Sequence, residues 1–148
     1  MRNEHRSMNL MTYRKCFDIC DNVRIKRSGK KMDVYDYPSA VASCASSWEN
    51  YDLASTQTSG KVVKTSYNKV PELESVLTIK LGTIGTNQGL CKNYIGACAE
   101  PHVAREVIKN NPYVKVNDLV FSYAYRPRTK SVIQYCKNCL EVFNVQNP

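Results

Sequence analysis

The chain has no long apolar run. No stretch approaches the ~20 consecutive apolar residues that a membrane-spanning helix requires, so a membrane role is not expected. Met1 to Met11 is polar and lacks the apolar core of a signal peptide. This segment therefore carries no export address of its own, whether it stands alone or is the tip of a larger exported protein. Internal repeats and low-complexity tracts are also missing. A complete set of intramolecular disulfides is excluded, because seven cysteines cannot all pair. Acids are scarce at one end: Arg2 to Lys31 holds nine Lys or Arg against three acids, while the remainder is nearly balanced at twelve against ten.

What is present is an ordinary globular composition. Hydrophobic residues make up 43 % and charged residues 23 % of the 148 residues, which suits one compact core and is too little chain for two ordinary domains. The formal net charge is +8. Its concentration near the N-terminus is the electrostatic footprint expected of a partner of nucleic acid. A solvated face, or a basic linker of a longer parent chain, would carry the same charge.

Two parts are expected: a basic N-terminal extension with one helix over residues 1–60, packed on or leading into the core, and the core itself over residues 61–148. The helix is read over Tyr35 to Leu53, where Val41, Cys44, Ala45, Trp48 and Tyr51 fall at helical spacing and Pro38 stands near the start. Ser55 to Gly60 reads as a polar loop. Pro71 to Leu81 suits a helix opened by Pro71 and stopped at Gly82; the alternation of Leu77, Ile79 and Leu81 also suits a strand, and the helix is preferred. Gly82 to Gly96 reads as loops around a short strand near Leu90. Val103, Ala104, Val107 and Ile108 form one helical face, ended by Asn110-Asn111-Pro112. Leu119 to Tyr125 reads as a buried strand broken by Arg126-Pro127-Arg128, and Cys136 to Phe143 as a short helix.

The chemistry concentrates in two motifs. Cys98-Ala99-Glu100 is followed 38 positions later by Cys136-Lys137-Asn138-Cys139. Together they supply three thiolates for one tetrahedral metal and a carboxylate two residues from the first ligand. A catalytic zinc site takes three protein ligands and leaves the fourth position open. A Glu that is not itself a ligand can then shuttle the proton of a water molecule. With Pro101 in the first turn of its helix, Cys98 and Glu100 lie at a helix N-terminus, where the dipole favours a thiolate.

Gly96-Ala97-Cys98-Ala99-Glu100 and Cys136-Lys137-Asn138-Cys139 resemble the motifs of the cytidine deaminase superfamily. The likeness is greatest to the YwqJ-like deaminase domains at the C-termini of bacterial polymorphic toxins. It covers about Pro71 to Val145 and leaves the first 60 residues outside. Tyr135 stands where the family usually has Pro. Nine residues follow Cys139, too few for the last two strands of free-nucleoside deaminases.

The resemblance implies an α/β fold: a cytidine-deaminase-like three-layer α/β/α arrangement with a small mixed sheet, short at its C-terminus. It implies Zn2+ on Cys98, Cys136 and Cys139, with Glu100 moving the proton of the water that attacks C4 of cytosine. The carbonyl of Ala99 would receive the exocyclic amine, and Asn93 would touch the sugar. The implied substrate is cytosine in nucleic acid, with single-stranded DNA favoured and duplex DNA or RNA as further candidates; the same chemistry can act on adenine. As a toxin effector, the protein would be secreted or delivered by contact, act in a target-cell cytoplasm and meet a cognate immunity protein.

Tyr123, Tyr125 and Tyr135 lead toward the motifs and are candidates to stack on an extruded base, or else strand residues of the core. Arg126 and Arg128 fall where a substrate phosphate would pass, or in a solvated loop. His102 is expected to face away from the metal. Cys16 and Cys20 read as small buried hydrophobes rather than a second metal site with Cys44. Other classes remain in view. Cys91 could complete a closed four-thiolate structural module that binds nucleic acid, free cytidine or adenine could be the substrate, and Cys136 with Cys139 could form a thioredoxin-like redox pair.

Overall fold

Met8, Thr12, Cys16, Ile19 and Val23 are buried along one stripe of α1 (Asn3–Lys26). The spacing of three and four residues is that of a helix face. Thr12 and Cys16 make the stripe weak in hydropathy, and exposed Arg6, Arg14, Lys15 and Arg24 fill the other side. The single helix expected in residues 1–60 lies elsewhere, over Tyr35 to Leu53, so α1 is an additional element. The computed structural model describes residues 2–148.

The stripe packs on an open sheet of five short strands. Its central strand, β1 (Val41–Ala45), pairs on one side with β2 (Ser55–Thr58). On its other side run β3 (Val120–Phe121) and β4 (Ala124–Arg126), with β5 (Ser131–Ile133) beyond β4. Every pairing among the described residues is antiparallel rather than mixed. β1 reads Val-Ala-Ser-Cys-Ala and is buried throughout. Val41 packs toward α1 and Cys44 toward the larger core on the opposite face. A short run buried on both sides has no alternation, so periodicity cannot separate it from a helix. The expected helix over Tyr35 to Leu53 is thereby corrected to a turn at Val34–Asp36, strand β1 and 3-10 turns at Trp48–Leu53. The expected loop at Ser55 to Gly60 supplies the polar edge strand β2. One sheet thus spans residue 60, since β1 and β2 precede it and β3 to β5 follow.

The expected strand over Leu119 to Tyr125 is divided by a bulge. Cys44 faces Phe121 and Val41 faces Tyr125, so two residues of β1 oppose three, Ser122 to Ala124. The displaced Tyr123 N–H donates to Asn9 Oδ1 of α1 at 2.7 Å. The hydroxyls of Thr12, Ser43, Ser122 and Thr56 form a buried chain with separations of 2.8, 2.7 and 2.8 Å for Thr12–Ser122, Thr12–Ser43 and Ser43–Thr56. Hydrogen bonds therefore fasten α1 across the irregular part of the sheet.

On the opposite face lie α2 (Lys64–Tyr67), α3 (Pro71–Lys80), α4 (Ala99–Asn110) and α5 (Lys137–Val142). The fold is α/β, with helices on both sides of the sheet. α3 is a helix because Leu73 and Leu77 enter the core while Ile79 is 81 % exposed, which a strand alternation would not give. It stops at Gly82, whose φ of +124° suits glycine. Val103, Ala104, Val107 and Ile108 are all buried, as their spacing predicts. No strand forms near Leu90; residues 82–98 are a series of turns held by Ile95 N–H to the Thr86 carbonyl at 2.8 Å and Gly85 N–H to the Ile95 carbonyl at 2.9 Å. Leu73, Leu77, Ile95, Val103, Phe121 and Val142 anchor one continuous core, each large side chain contributing ~1.5–3 kcal/mol by leaving water.

Candidate metal centre

Two helix starts converge on one point. Cys98 is the N-cap of α4 and Cys136 the N-cap of α5, both in extended backbone, and Cys139 lies in the first turn of α5. α3, α4 and α5 share the apolar core, so the two starts are set by packing. Cys98 Sγ lies 3.2 Å from Cys136 Sγ, and Cys136 Sγ 3.4 Å from Cys139 Sγ. All three sulfurs are within 4.8 Å of one another, the arrangement of a group able to hold a metal ion. A shared proton network already polarises the cluster. Hydrogen bonding from Cys139 and then Cys98 pulls the Cys136 thiol well below its ordinary value, and the same contacts with Cys136 hold Cys98 and Cys139 up. Asn93 Nδ2 points at Cys98 Sγ from 3.6 Å, a donor suited to a thiolate. Three thiolates form a soft donor set that fits zinc or another thiophilic ion.

Glu100 stands beside the sulfurs without joining them. It is 3 % exposed, and its Oε2 lies 3.6 Å from Cys139 Sγ. Burial pushes its carboxyl up to about 7, against the lowering effect of a backbone hydrogen bond.

The centre opens on one side into a cleft of about 950 Å3. Cys98, Glu100 and Cys136 belong to its wall. Further walls come from Val34, Tyr35 and the run Tyr37 to Ala40, from Lys92-Asn93-Tyr94, and from Arg126 and Arg128. Glu100 is the one acid lining the cleft among the described residues, against three cations. The loop before α4 is clamped by Asn138, whose Oδ1 accepts from Leu90 N–H at 2.7 Å and whose Nδ2 donates to the Asn93 carbonyl at 3.4 Å. Gly89 permits that clamp, since a Cβ there would meet Asn138 Oδ1 at 2.5 Å.

Of the residues singled out from sequence, Cys98, Cys136, Cys139, Glu100 and Asn93 come together, and Arg126 and Arg128 reach the same cleft. Ala99 is fully buried at the first position of α4 and does not line the cleft. Tyr125 is corrected to the other face of the sheet, packed with Cys16, Ile19 and Val41 under α1. Tyr135 is corrected to the core, where its hydroxyl donates to the Ser122 carbonyl. The bulge sets the face that Tyr125 takes, and Tyr135 follows β5 in the connection to α5; neither position is readable from the motif. His102 turns away to the Gly60 carbonyl at 3.3 Å. Cys91 does not join the three-sulfur group. Cys16 and Cys44 lie in separate buried clusters and Cys20 Sγ contacts the Pro127 carbonyl, so they form no second group. Tyr35, Tyr37, Lys92 and Tyr94 were missed. The pattern Tyr35-Asp36-Tyr37-Pro38 was the available signal, and reading it as the start of a helix concealed it. An α/β domain with an open three-cysteine centre is the class that fold and site define. Comparison with models of protein families, with curated proteins and with solved structures gives no match.

Proposed function

We propose that this chain is a zinc-dependent deaminase that hydrolyses cytosine to uracil in nucleic acid, with single-stranded DNA favoured. The observation that carries the reading is the buried Glu100 carboxyl beside three convergent cysteines at the wall of a cationic cleft. Zinc held by Cys98, Cys136 and Cys139 would act as a Lewis acid, lowering the pKa of water toward 7. Glu100 carries one proton of the attacking water to the ring nitrogen and then the proton of the new C4 hydroxyl to the departing amine, so that water and cytosine become uracil and ammonia. A carboxyl near 7 can both accept and donate at neutral pH. Asn93 holds Cys98 by its Nδ2, and Lys92, Arg126 and Arg128 receive phosphates.

A base buried in a duplex cannot reach such a cleft, which favours single strands. Cys91 lies outside the sulfur group, which disfavours the closed structural module. The role as a bacterial toxin effector, delivered into a target-cell cytoplasm and neutralised by an immunity protein, rests on the motif resemblance alone. The test is to sequence single-stranded DNA, duplex DNA and RNA after incubation with the protein and with Glu100→Ala. C-to-T changes made only by the unaltered protein support the reading. A-to-G changes move it to adenine, and no change on any polymer defeats it.

A further inference from the structure

Tyr35 is the most exposed aromatic side chain of the cleft wall, at 92 %, and it sits on a turn built to hold it there. Asp33 Oδ1 accepts from Tyr35 N–H at 3.0 Å, and Asp33 N–H donates to Asp36 Oδ2 at 2.7 Å. Arg27 Nε then lies 3.4 Å from the same Asp36 oxygen, tying the turn to the end of α1. Five residues after Tyr35, the Ala40 carbonyl accepts from Ser59 N–H at 2.9 Å, which joins this wall to the sheet. The chain thus uses a capping box, an ion pair and a strand extension to present a ring that makes no buried contact of its own. A second exposed ring, Tyr94 at 57 %, comes to the cleft from the turn before α4. Lys92, Arg126 and Arg128 line the same cleft, whose one lining acid among the described residues is the buried Glu100.

We infer that Tyr35 and Tyr94 form a stacking clamp for the bases that flank the target nucleotide of a single strand, whose phosphates meet Lys92, Arg126 and Arg128. The occupant is a single-stranded nucleic acid because the cleft pairs exposed aromatic rings with a lining of three cations against one buried acid. A small metabolite would use neither ring at the mouth, and an acidic peptide would use the cations without the rings. The inference deepens the proposed function and rests on it for the identity of the target base; binding of the flanking bases stands separately. It also gives the N-terminal segment a task in the site, since Tyr35 lies outside the part of the chain that carries the motifs.

The test measures binding without turnover, by fluorescence anisotropy of the zinc-loaded protein with labelled oligothymidylate, which contains no cytosine, and with an abasic strand of equal length and charge. Oligothymidylate should bind more tightly than the abasic strand by roughly 5- to 100-fold, the scale of one stacked base. Tyr35→Ala with Tyr94→Ala should erase that gap and leave abasic binding unchanged, and Tyr35→Phe with Tyr94→Phe should restore it. Both positions are exposed, so folding is not at stake, and thermal melting of each variant checks this. An unchanged gap in the double Ala variant, or equal binding of the two strands by the native chain, overturns the clamp. A Tyr-dependent gap with no cytosine converted in any strand leaves the clamp standing and defeats the deaminase. Cytosine conversion together with a gap that the double Ala variant keeps does the reverse.

Discussion

The two faces of the sheet are held by different forces. On the α4 side, Leu73, Leu77, Val103, Val107 and Val142 make one continuous apolar core, and the cysteine centre sits at its edge. On the α1 side the apolar cluster is small, and Asn9, Thr12, Ser43 and Ser122 carry hydrogen bonds through the interface. The difference teaches what each face does for the site. Packing fixes the two helix starts that bring Cys98, Cys136 and Cys139 together. Directional hydrogen bonds secure the bulged strand and β1, whose entering segment is the Tyr35 wall of the cleft. One face positions the cysteine centre and the other shapes the cleft beside it.

Breaking the α4 side at its chemical edge has the largest expected effect. Cys136→Ser with Cys139→Ser should remove bound metal altogether, from about one ion per chain to none by elemental analysis, and abolish turnover. Glu100→Ala should keep the metal and the fold but lower deamination by ~10²–10⁴-fold, measured as product formed under single-turnover conditions. Next come the two interiors. Leu77→Ala should cost ~2–5 kcal/mol in urea unfolding, as a cavity in the apolar core. Thr12→Val should cost less, about 1–3 kcal/mol, because Ser43 and Ser122 lose a buried partner while the shape is kept. An equal or larger cost for Thr12→Val would reverse the ranking of the two faces.

The smallest effect is a shared pH dependence. Burial lowers His5 on the α1 side and His102 on the α4 side below the ordinary imidazole value of 6.5. Both are neutral in the folded chain and take protons more readily when unfolded. The contribution of these two imidazoles to stability should therefore be full above pH 6.5 and fall as pH drops below it, against the opposite slope that Glu100, raised to about 7, gives over the same range. His102→Asn should flatten that slope in part, as read from urea midpoints between pH 5 and 7.5.

The same contrast explains what could be read from the sequence. The convergence of the three cysteines, the place of Glu100 beside them and α4 were legible because CxxC and Cys-Ala-Glu are local patterns and Val103 to Ile108 has clear helical spacing. α1 was illegible because its buried stripe includes Thr12, Cys16 and Asn9, whose partners are brought close only by the folded sheet. β1 was mistaken for helix because small residues buried on both sides leave no period. For Tyr125 the choice between cleft and core is made by the bulge at Ser122 to Ala124, for Tyr135 by the hydrogen bond of its hydroxyl to the Ser122 carbonyl, and Tyr35 was missed because it belongs to a turn more than sixty residues from Cys98.

The central claim is that the three cysteines make an open metal site rather than a closed one. X-ray absorption at the zinc edge of the purified protein tests this most directly. Three sulfur neighbours at about 2.3 Å and one oxygen or nitrogen near 2.0–2.1 Å are expected, with no change in that shell for Cys91→Ser. Four sulfur neighbours, one of them lost in Cys91→Ser, would contradict it.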